Sequence, residues 1–238
     1  MNWAVAMDSI GASSLVGGTV TSNNRTAVSM TCQVELLVTE RYAPDMDLVT
    51  LSRWLGDKVA PEPLVAVQAL ANSHPSEDQG ELLHDVETTR YWLLRFRFGA
   101  DGIAVTEADR ERLLELRRCV RALIDANMTG VQDEAANAEL AAIAARHPVS
   151  VRAGRDGRLA LDLEPAASVD ALIAQLIGIV LQAQINGSWE RLKICAADSC
   201  RWAFYDASKN RGGHWCSMQV CGNRMKNRAY RERRAARA

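Results

Sequence analysis

The sequence predicts an α+β fold: a mainly helical N-terminal domain with a small β-sheet, then a small C-terminal unit ending in a basic helix. Three observations carry this expectation. Apolar residues recur at helical spacing along much of the chain. One stretch alternates in period two about an Asp-Gly pair. Four of the six cysteines fall within residues 195–221.

The chain has 238 residues, room for one large domain, or one domain and a small module. Hydrophobic residues make up 48% and charged residues 24%, which argues against wholesale disorder and against a fibrous chain. No uncharged apolar run reaches the roughly 18 residues of a membrane span. The best candidate, residues 171–180, reads as a buried helix. No basic segment followed by an apolar core opens the chain, so a cytoplasmic location with no membrane partner is expected. The net charge of −1 hides an asymmetry. Residues 191–238 hold 12 Lys+Arg against 3 Asp+Glu, a net +9, and the other 190 residues hold 16 against 26, a net −10. An acidic body with a basic tail points to a polyanionic partner for the tail.

The elements follow in order. Residues 1–29 are rich in Ser, Thr, Asn and Gly without a clear period, and are expected to be a disordered extension. Met30 offers an alternative start, since ordered patterning begins after it; a floppy N-terminus is the competing reading. Residues 32–38 (CQVELLV) read as a strand, and 47–55 as a short helix with Leu48, Leu51 and Leu55 on one face. Pro61 and Pro63 break the chain before a helix over 64–71, and 74–80 is polar and turn-like. Residues 91–98 (YWLLRFRF) fit either a strand or a helix. Thr106 and Asp109 form a capping box that opens a helix to about 126, with Leu113, Leu116, Val120 and Leu123 at helical spacing. A further helix spans 133–146 and stops before Pro148. VSVRAGRDGRLALDL is a β-hairpin signal about Asp156-Gly157. An apolar helix over 168–184 is capped by Ser168 and ends near Gly187. Cys32 and Cys119 stand alone and read as small buried hydrophobes.

The clustered cysteines are spaced Cys195-x4-Cys200, fifteen residues, then Cys216-x4-Cys221. Two close pairs joined by a loop suit a tetrahedral thiolate site, each pair on a tight turn. One structural Zn2+ per chain is expected, with no open coordination position; iron fits the same ligands and stays an alternative. Such a site contributes about 10 kcal/mol or more to folding. The plain alternative is four unrelated buried cysteines. His214 lies too close to Cys216 for an unstrained chelate and reads as a surface or phosphate-contacting residue. Trp202, Phe204 and Trp215 are expected to pack round the metal, and Asp206 and Ser208 to brace the loop.

After Cys221, GNRMKNRAYRERRAARA ends in good helix formers. Met218, Cys221, Met225 and Ala229 make an apolar stripe. Arg224, Arg228 and Arg231 share another face, and Lys226, Arg233, Arg234 and Arg237 extend the charge. Asn223 and Asn227 add groups that can meet phosphates or base edges. The candidate nucleic-acid contacts are therefore Lys209, Arg211, His214, Asn223, Arg224, Lys226, Arg228, Arg231, Arg233 and Arg234. A merely solvated basic tail is the alternative.

With these residues in view, CAADSC, FYDASKNR and HWCSMQVCGNRMKNRAYRERR resemble the CGNR zinc finger, whose tetrapeptide stands here as Cys221, Gly222, Asn223 and Arg224. The resemblance covers residues 190–234. It implies zinc on Cys195, Cys200, Cys216 and Cys221, a treble-clef-like or knuckle finger, and a DNA-binding role. Residues 31–185 are similar, more loosely, to the ABATE domain that precedes this finger in stress-induced transcription regulators of bacteria. RLLELRRCVRALIDAN is the most typical piece. Gly213-His214 departs from the basic residues the family carries before Trp-Cys, and CQVELLVTERYAP lacks its Asp and Asn-Thr pattern. The expected organisation is an extension (1–29), an ABATE-like α+β regulatory domain (30–188) and a CGNR-type finger with its basic helix (189–238).

The leading expectation is a zinc-containing regulator that binds double-stranded DNA through the finger. The N-terminal domain would sense a small-molecule ligand or form a homodimer, which would raise affinity through avidity. The alternative is an RNA-binding or protein-interaction module in which zinc is only a brace. Release of the metal on thiolate oxidation is a variant of the first reading. No enzyme is expected. His74, His84, His147 and His214 are scattered, Asp206 has no acidic partner nearby, and no Ser-His-Asp order, His-Glu-x-x-His motif or convincing carboxylate pair occurs.

Overall fold

A computed structural model describes residues 54–76, 79–96 and 103–237, all within one unit of the chain, Ala43–Ala238. The extension expected over 1–29, the strand over 32–38, Cys32 and most of the helix over 47–55 lie outside the described residues.

Six α-helices and two hairpins follow in order among the described residues. Helix α1 is Val65–Asn72. Helix α2, Val86–Arg95, makes a helix of residues 91–95 in the ambiguous YWLLRFRF segment, whose last two residues lie outside the described ones. Its start carries a capping box, in which the Asp85 side chain accepts from the Thr88 N–H while the Thr88 hydroxyl accepts from the Asp85 N–H. That reciprocal pair satisfies two N–H groups the helix start would otherwise leave open. Helix α3, Glu107–Thr129, opens on the expected Thr106–Asp109 box and runs past Ala126 to Gly130. At about 1.5 Å per residue it is some 34 Å long and serves as the central post. Helix α4 is Glu134–Arg146, capped by Asp133. Strands β1 (Val151–Ala153) and β2 (Leu159–Leu161) form the hairpin read from Asp156-Gly157, with Arg152 opposite Ala160. Helix α5, Val169–Ile185, starts on Ser168, whose hydroxyl accepts from the Ala171 N–H.

Around α3, a core of buried Leu70, Leu83, Trp92, Leu93, Leu113, Leu116, Ile124, Ile143, Leu172, Ile173 and Leu176 joins all five helices. A 3-10 turn at Trp189–Arg191 leads into strand β3, Leu192–Ile194. Strand β4, Ala203–Tyr205, pairs antiparallel with it, Lys193 opposite Phe204. This second hairpin is buried on both faces. Leu192, Ile194 and Ala203 belong to the helical core, while Phe204 sits in a separate cluster with Cys195, Ala197 and Cys221. Alternation along a strand sends successive side chains to opposite sides, so three residues per strand join two cores.

The outer edge of β4 is covered rather than open. Asn72 accepts from the Ala203 N–H (2.7 Å) and donates to the Ala203 carbonyl (2.9 Å). Gln68, one turn earlier on α1, donates to the same carbonyl (3.1 Å) and accepts from the Ala60 N–H (2.7 Å). The Tyr205 N–H donates to the Lys58 carbonyl (2.9 Å). A buried edge without such partners leaves backbone groups orphaned, at about 1–3 kcal/mol each. Replacing Asn72 by Ala orphans the buried Ala203 N–H and leaves the Ala203 carbonyl with Gln68 alone. The expected cost is about 2–4 kcal/mol, seen as a fall of about 10 °C in the thermal midpoint by circular dichroism.

Candidate metal centre and its basic helix

The four clustered cysteines come together from two turns. Cys195 directly follows β3 and Cys200 shortly precedes β4, so the first pair forms the knuckle of the hairpin. Its turn is closed by the Cys200 and Arg201 N–H groups, both donating to the Ala197 carbonyl (2.9 and 3.1 Å). Arg201 takes a left-handed conformation there, φ 51°. The second pair is brought over by the Ala196 N–H, which donates to the His214 carbonyl (2.9 Å). Cys216 lies in that returning loop, and Cys221 in a wide π-helical turn, Met218–Gly222, that runs directly into helix α6, Asn223–Ala235. A knuckle and a helix N-terminus that share one site make the finger treble-clef-like.

All four Sγ atoms lie within 4.8 Å of one another. Cys200 and Cys216 are 3.6 Å apart, Cys216 and Cys221 3.7 Å. A disulfide needs about 2.05 Å. Four sulfurs at about 2.3 Å from one Zn2+ in a tetrahedron stand about 3.8 Å apart. The spacing is thus that of a shared cation, and the donor set fits one structural zinc. The four sulfurs are close enough to shift one another's protonation. Hydrogen bonds from Cys200 and Cys216 pull the Cys195 thiol far down. Hydrogen bonding to Cys195 pushes Cys200 up to about 12, and contacts with the Cys195 and Cys200 sulfurs push Cys216 up. Burial, then the Cys195 charge, raise Cys221. Four thiolates cannot share this volume without a cation to neutralise them.

The apolar shell is the one the aromatic residues predict. Phe204 is buried with Cys195, Ala197 and Cys221, and Trp202, Trp215 and Met225 pack on them. Trp202 also meets Trp54 edge-on at 5.3 Å. Lys58 lies 4.6 Å over the Phe204 ring and donates to the Trp215 carbonyl (2.6 Å). On the body side, Arg121 donates to the carbonyls of Ala71 (2.8 Å) and Arg201 (2.9 Å), and Arg201 pairs with Asp125 (2.8 Å). Among the described residues Cys119 stands apart in α3, and burial pushes its thiol up to about 11, the behaviour of a small hydrophobe.

Beneath the loop that joins the cysteine pairs lies a buried ion pair. Lys193 and Asp206 are 7% and 3% exposed, with Lys193 Nζ 2.9 Å from Asp206 Oδ2. Lys193 also donates to the carbonyls of Arg211 and Gly213. Asp206 accepts further from the N–H groups of Gly213 (2.7 Å) and Ser208 (3.1 Å). Burial alone would raise the Asp206 pKa. The hydrogen bonds from Ser208, Lys193 and Gly213 outweigh it and hold the carboxyl well below the usual range. Asp206 therefore braces the loop. A Cβ on Gly213 would stand 2.8 Å from Asp206 Oδ2, which gives a physical reason for glycine at this position.

Each residue of the tetrapeptide has a structural use. Cys221 is the last thiolate. A Cβ on Gly222 would press on the Met218 sulfur and stand 3.1 Å from Trp215 Cδ1, so glycine lets the wide turn close on the indole without displacing either side chain. The Asn223 amide donates to the Gln219 carbonyl (3.1 Å), and Arg224 to the Ser199 hydroxyl (3.0 Å), tying the helix start to the first knuckle. The sequence pattern implies an apolar stripe on one regular helix; Met218 instead lies in the π-helical turn and is 45% exposed.

Of the candidate nucleic-acid contacts, Arg224 is half-buried, while Lys209, Arg211, His214, Asn223, Lys226, Arg228, Arg231, Arg233 and Arg234 are exposed. Arg211 pairs with Glu190, and Arg228 with Glu232 (2.9 Å). Lys226, Arg231, Arg233 and Arg234 have no ion pair among the described residues. His214 contributes its backbone carbonyl to the knuckle and is not among the clustered ligands. Sequence reasoning passes over Lys58, Gln68, Asn72, Arg121 and Lys193. The one signal in the sequence is Gln68 and Asn72, two polar residues four apart in an otherwise apolar helix.

Fold and site define a protein whose metal finger is built onto a helical body. A family model described as "CGNR zinc finger" matches residues 191–234. A second, the ABATE domain, described as "Putative stress-induced transcription regulator", matches residues 64–183, about half of the chain. The chain belongs to the ABATE family, with the CGNR finger following in the same order. A search of curated proteins returned no match.

Cys216→Ser is expected to lose the zinc by elemental analysis and to expose α6 to trypsin. It should keep most of the helical circular dichroism, because the core around α3 contains none of the four ligands. One zinc per chain retained in the variant would refute the site. Asp206→Asn leaves Lys193 buried and uncompensated and is expected to cost about 3–5 kcal/mol near neutral pH. The Asp206 pKa is depressed in the folded state, so its stabilisation is full above the unfolded value of about 3.9 and is lost as pH falls towards the folded value. The stability difference between wild type and variant in urea should therefore shrink below about pH 4. The cysteine site titrates in both proteins, so the difference isolates Asp206.

Proposed function

We propose that this protein is a cytoplasmic transcription regulator whose zinc finger presents α6 to double-stranded DNA, and that it is not an enzyme. The observation that carries the reading is the partnerless charge on α6. Lys226, Arg231, Arg233 and Arg234 are exposed on a helix anchored directly to the metal site, and none has an acidic partner among the described residues. Cations left unpaired by their own protein are available to phosphates. The acidic body repels DNA and so concentrates contact on the tail. The description of the family as a transcription regulator supports the same role. No helix among the described residues is long and apolar enough to cross a membrane. Four thiolates fill the shell of a zinc ion, which leaves it structural rather than catalytic.

The sensing role is assigned to the helical body. An open cleft of about 610 Å³ lies between the start of α3, the end of α4, the first hairpin and the start of α5, beside His147, Arg112 and Asp170. Such a cleft is large enough for a small molecule. A single finger that neutralises a few phosphates binds weakly, so a homodimer acting through avidity completes the reading.

The test is a salt titration of duplex binding by fluorescence anisotropy on protein carrying one zinc. Binding that falls steeply with salt and is abolished by EDTA is expected. Replacing Lys226, Arg231 and Arg233 by Ala should keep the zinc and flatten the salt slope by about 3, since each phosphate left without its cation takes about 0.9 from the slope. Zinc present without duplex binding at low salt would sink the regulator reading in favour of an RNA or protein partner.

A further inference from the structure

We infer that α6 is a major-groove reading helix, and that Asn227, Tyr230 and Arg234 contact base edges while the cations on either side of them hold phosphates. This rests on the DNA-binding reading above and goes beyond it, because a basic helix that only met phosphates would carry no sequence preference.

One side of α6 is already committed to the finger. Met225 packs on the metal cluster, and Met225 and Ala229 are half-buried. At 3.6 residues per turn, the side directly opposite carries Asn227, Tyr230 and Arg234, spaced i, i+3 and i+7. All three are exposed, and Tyr230 is 60% exposed. An aromatic ring held in water on a helix with no buried residue contributes nothing to the fold. Asn223 starts the same side, but its amide is committed to the Gln219 carbonyl. The stripe that projects is therefore Asn227, Tyr230 and Arg234.

The charge is arranged about that stripe. Arg231 lies along one flank and Lys226 and Arg233 along the other. Cations on both sides with a polar and aromatic strip between them match a groove with phosphates on both rims and base edges on its floor. The helix, about 20 Å long, fits a major groove about 12 Å wide. The same chemistry argues against duplex RNA, whose major groove is too narrow for side chains to read.

The residue types then name the bases. Asn pairs in bidentate fashion with N6 and N7 of adenine, Arg with O6 and N7 of guanine, and an aromatic ring packs against the thymine methyl. Asn227 and Arg234 are seven residues apart, about 10 Å along the helix, or about three base pairs at 3.4 Å each. The preferred site holds an adenine and a guanine about three base pairs apart with a thymine between them.

The test is selection from a randomised duplex pool by the full-length zinc-loaded protein. Affinities for the enriched and a scrambled duplex are then measured at one salt concentration. An enriched site with that A and G spacing is expected. Asn227→Ala and Arg234→Ala should each weaken the enriched duplex by about 5- to 150-fold and relax the preference at one base pair. Asn227→Ala should leave the scrambled duplex within about twofold. Lys226→Ala should weaken both duplexes alike and flatten the salt slope by about one. Duplex binding with no enriched sequence, or an Asn227→Ala loss equal on both duplexes, would overturn this inference and leave the regulator reading standing. No duplex binding at low salt, or a preference for RNA, would overturn both.

Discussion

The hairpin of β3 and β4 is the constraint on which the rest of the structure depends, because it is buried from both sides at once. Leu192, Ile194 and Ala203 face the helices, and Phe204 faces the metal cluster. Lys193 shares the cluster side and would be an unpaired charge there but for Asp206. The cost of that ion pair is met by the hydrogen bonds that surround it, and those bonds fix the loop between the cysteine pairs. The outer edge of β4 would equally be a run of orphaned backbone groups but for Gln68, Asn72 and the Lys58 carbonyl. Each polar group at this junction is matched by one on another element, so the finger's position on α1 and α3 is set by hydrogen-bond satisfaction as well as by apolar burial.

Local signals are legible in the sequence where the chemistry is local. The Thr106–Asp109 box, the Ser168 cap and the Asp156-Gly157 turn each involve residues within a few positions of one another, and each stands where the sequence puts it. The metal site is legible because four thiols at two short spacings have little else to do. What stays hidden depends on partners far along the chain. Asn72 meets Ala203 across 131 positions, and Lys58 meets Trp215 across 157. Asn223 and Arg224 read as nucleic-acid contacts because their side chains suit that role. In the fold they close the π-helical turn and tie it to Ser199, and no periodicity distinguishes the two uses. The YWLLRFRF segment is ambiguous because its apolar run suits either period. The cap at Asp85 lies outside it.

Helix α6 poses the sharpest physical problem in the molecule. It has thirteen residues and no buried side chain, its first turn holds no acidic residue, and its Ncap side chain is the hydrogen of Gly222. Arg224 and Lys226 sit near its N-terminus, where the helix dipole disfavours positive charge. A free peptide of that length is marginal even without like-charge repulsion. The metal cluster supplies what is missing. Four thiolates and one Zn2+ carry a net charge of about −2, and Cys221 places that charge at the helix N-terminus, where acidic side chains would otherwise stand. Arg224 adds a tether to the first knuckle, and Met225 a packed contact. The metal therefore does more than fold the finger. It makes a continuous helix of a segment whose own charges oppose one, and so sets the spacing of the side chains that segment presents. Losing the zinc would remove the helix's electrostatic cap and its anchor at Cys221 in one step.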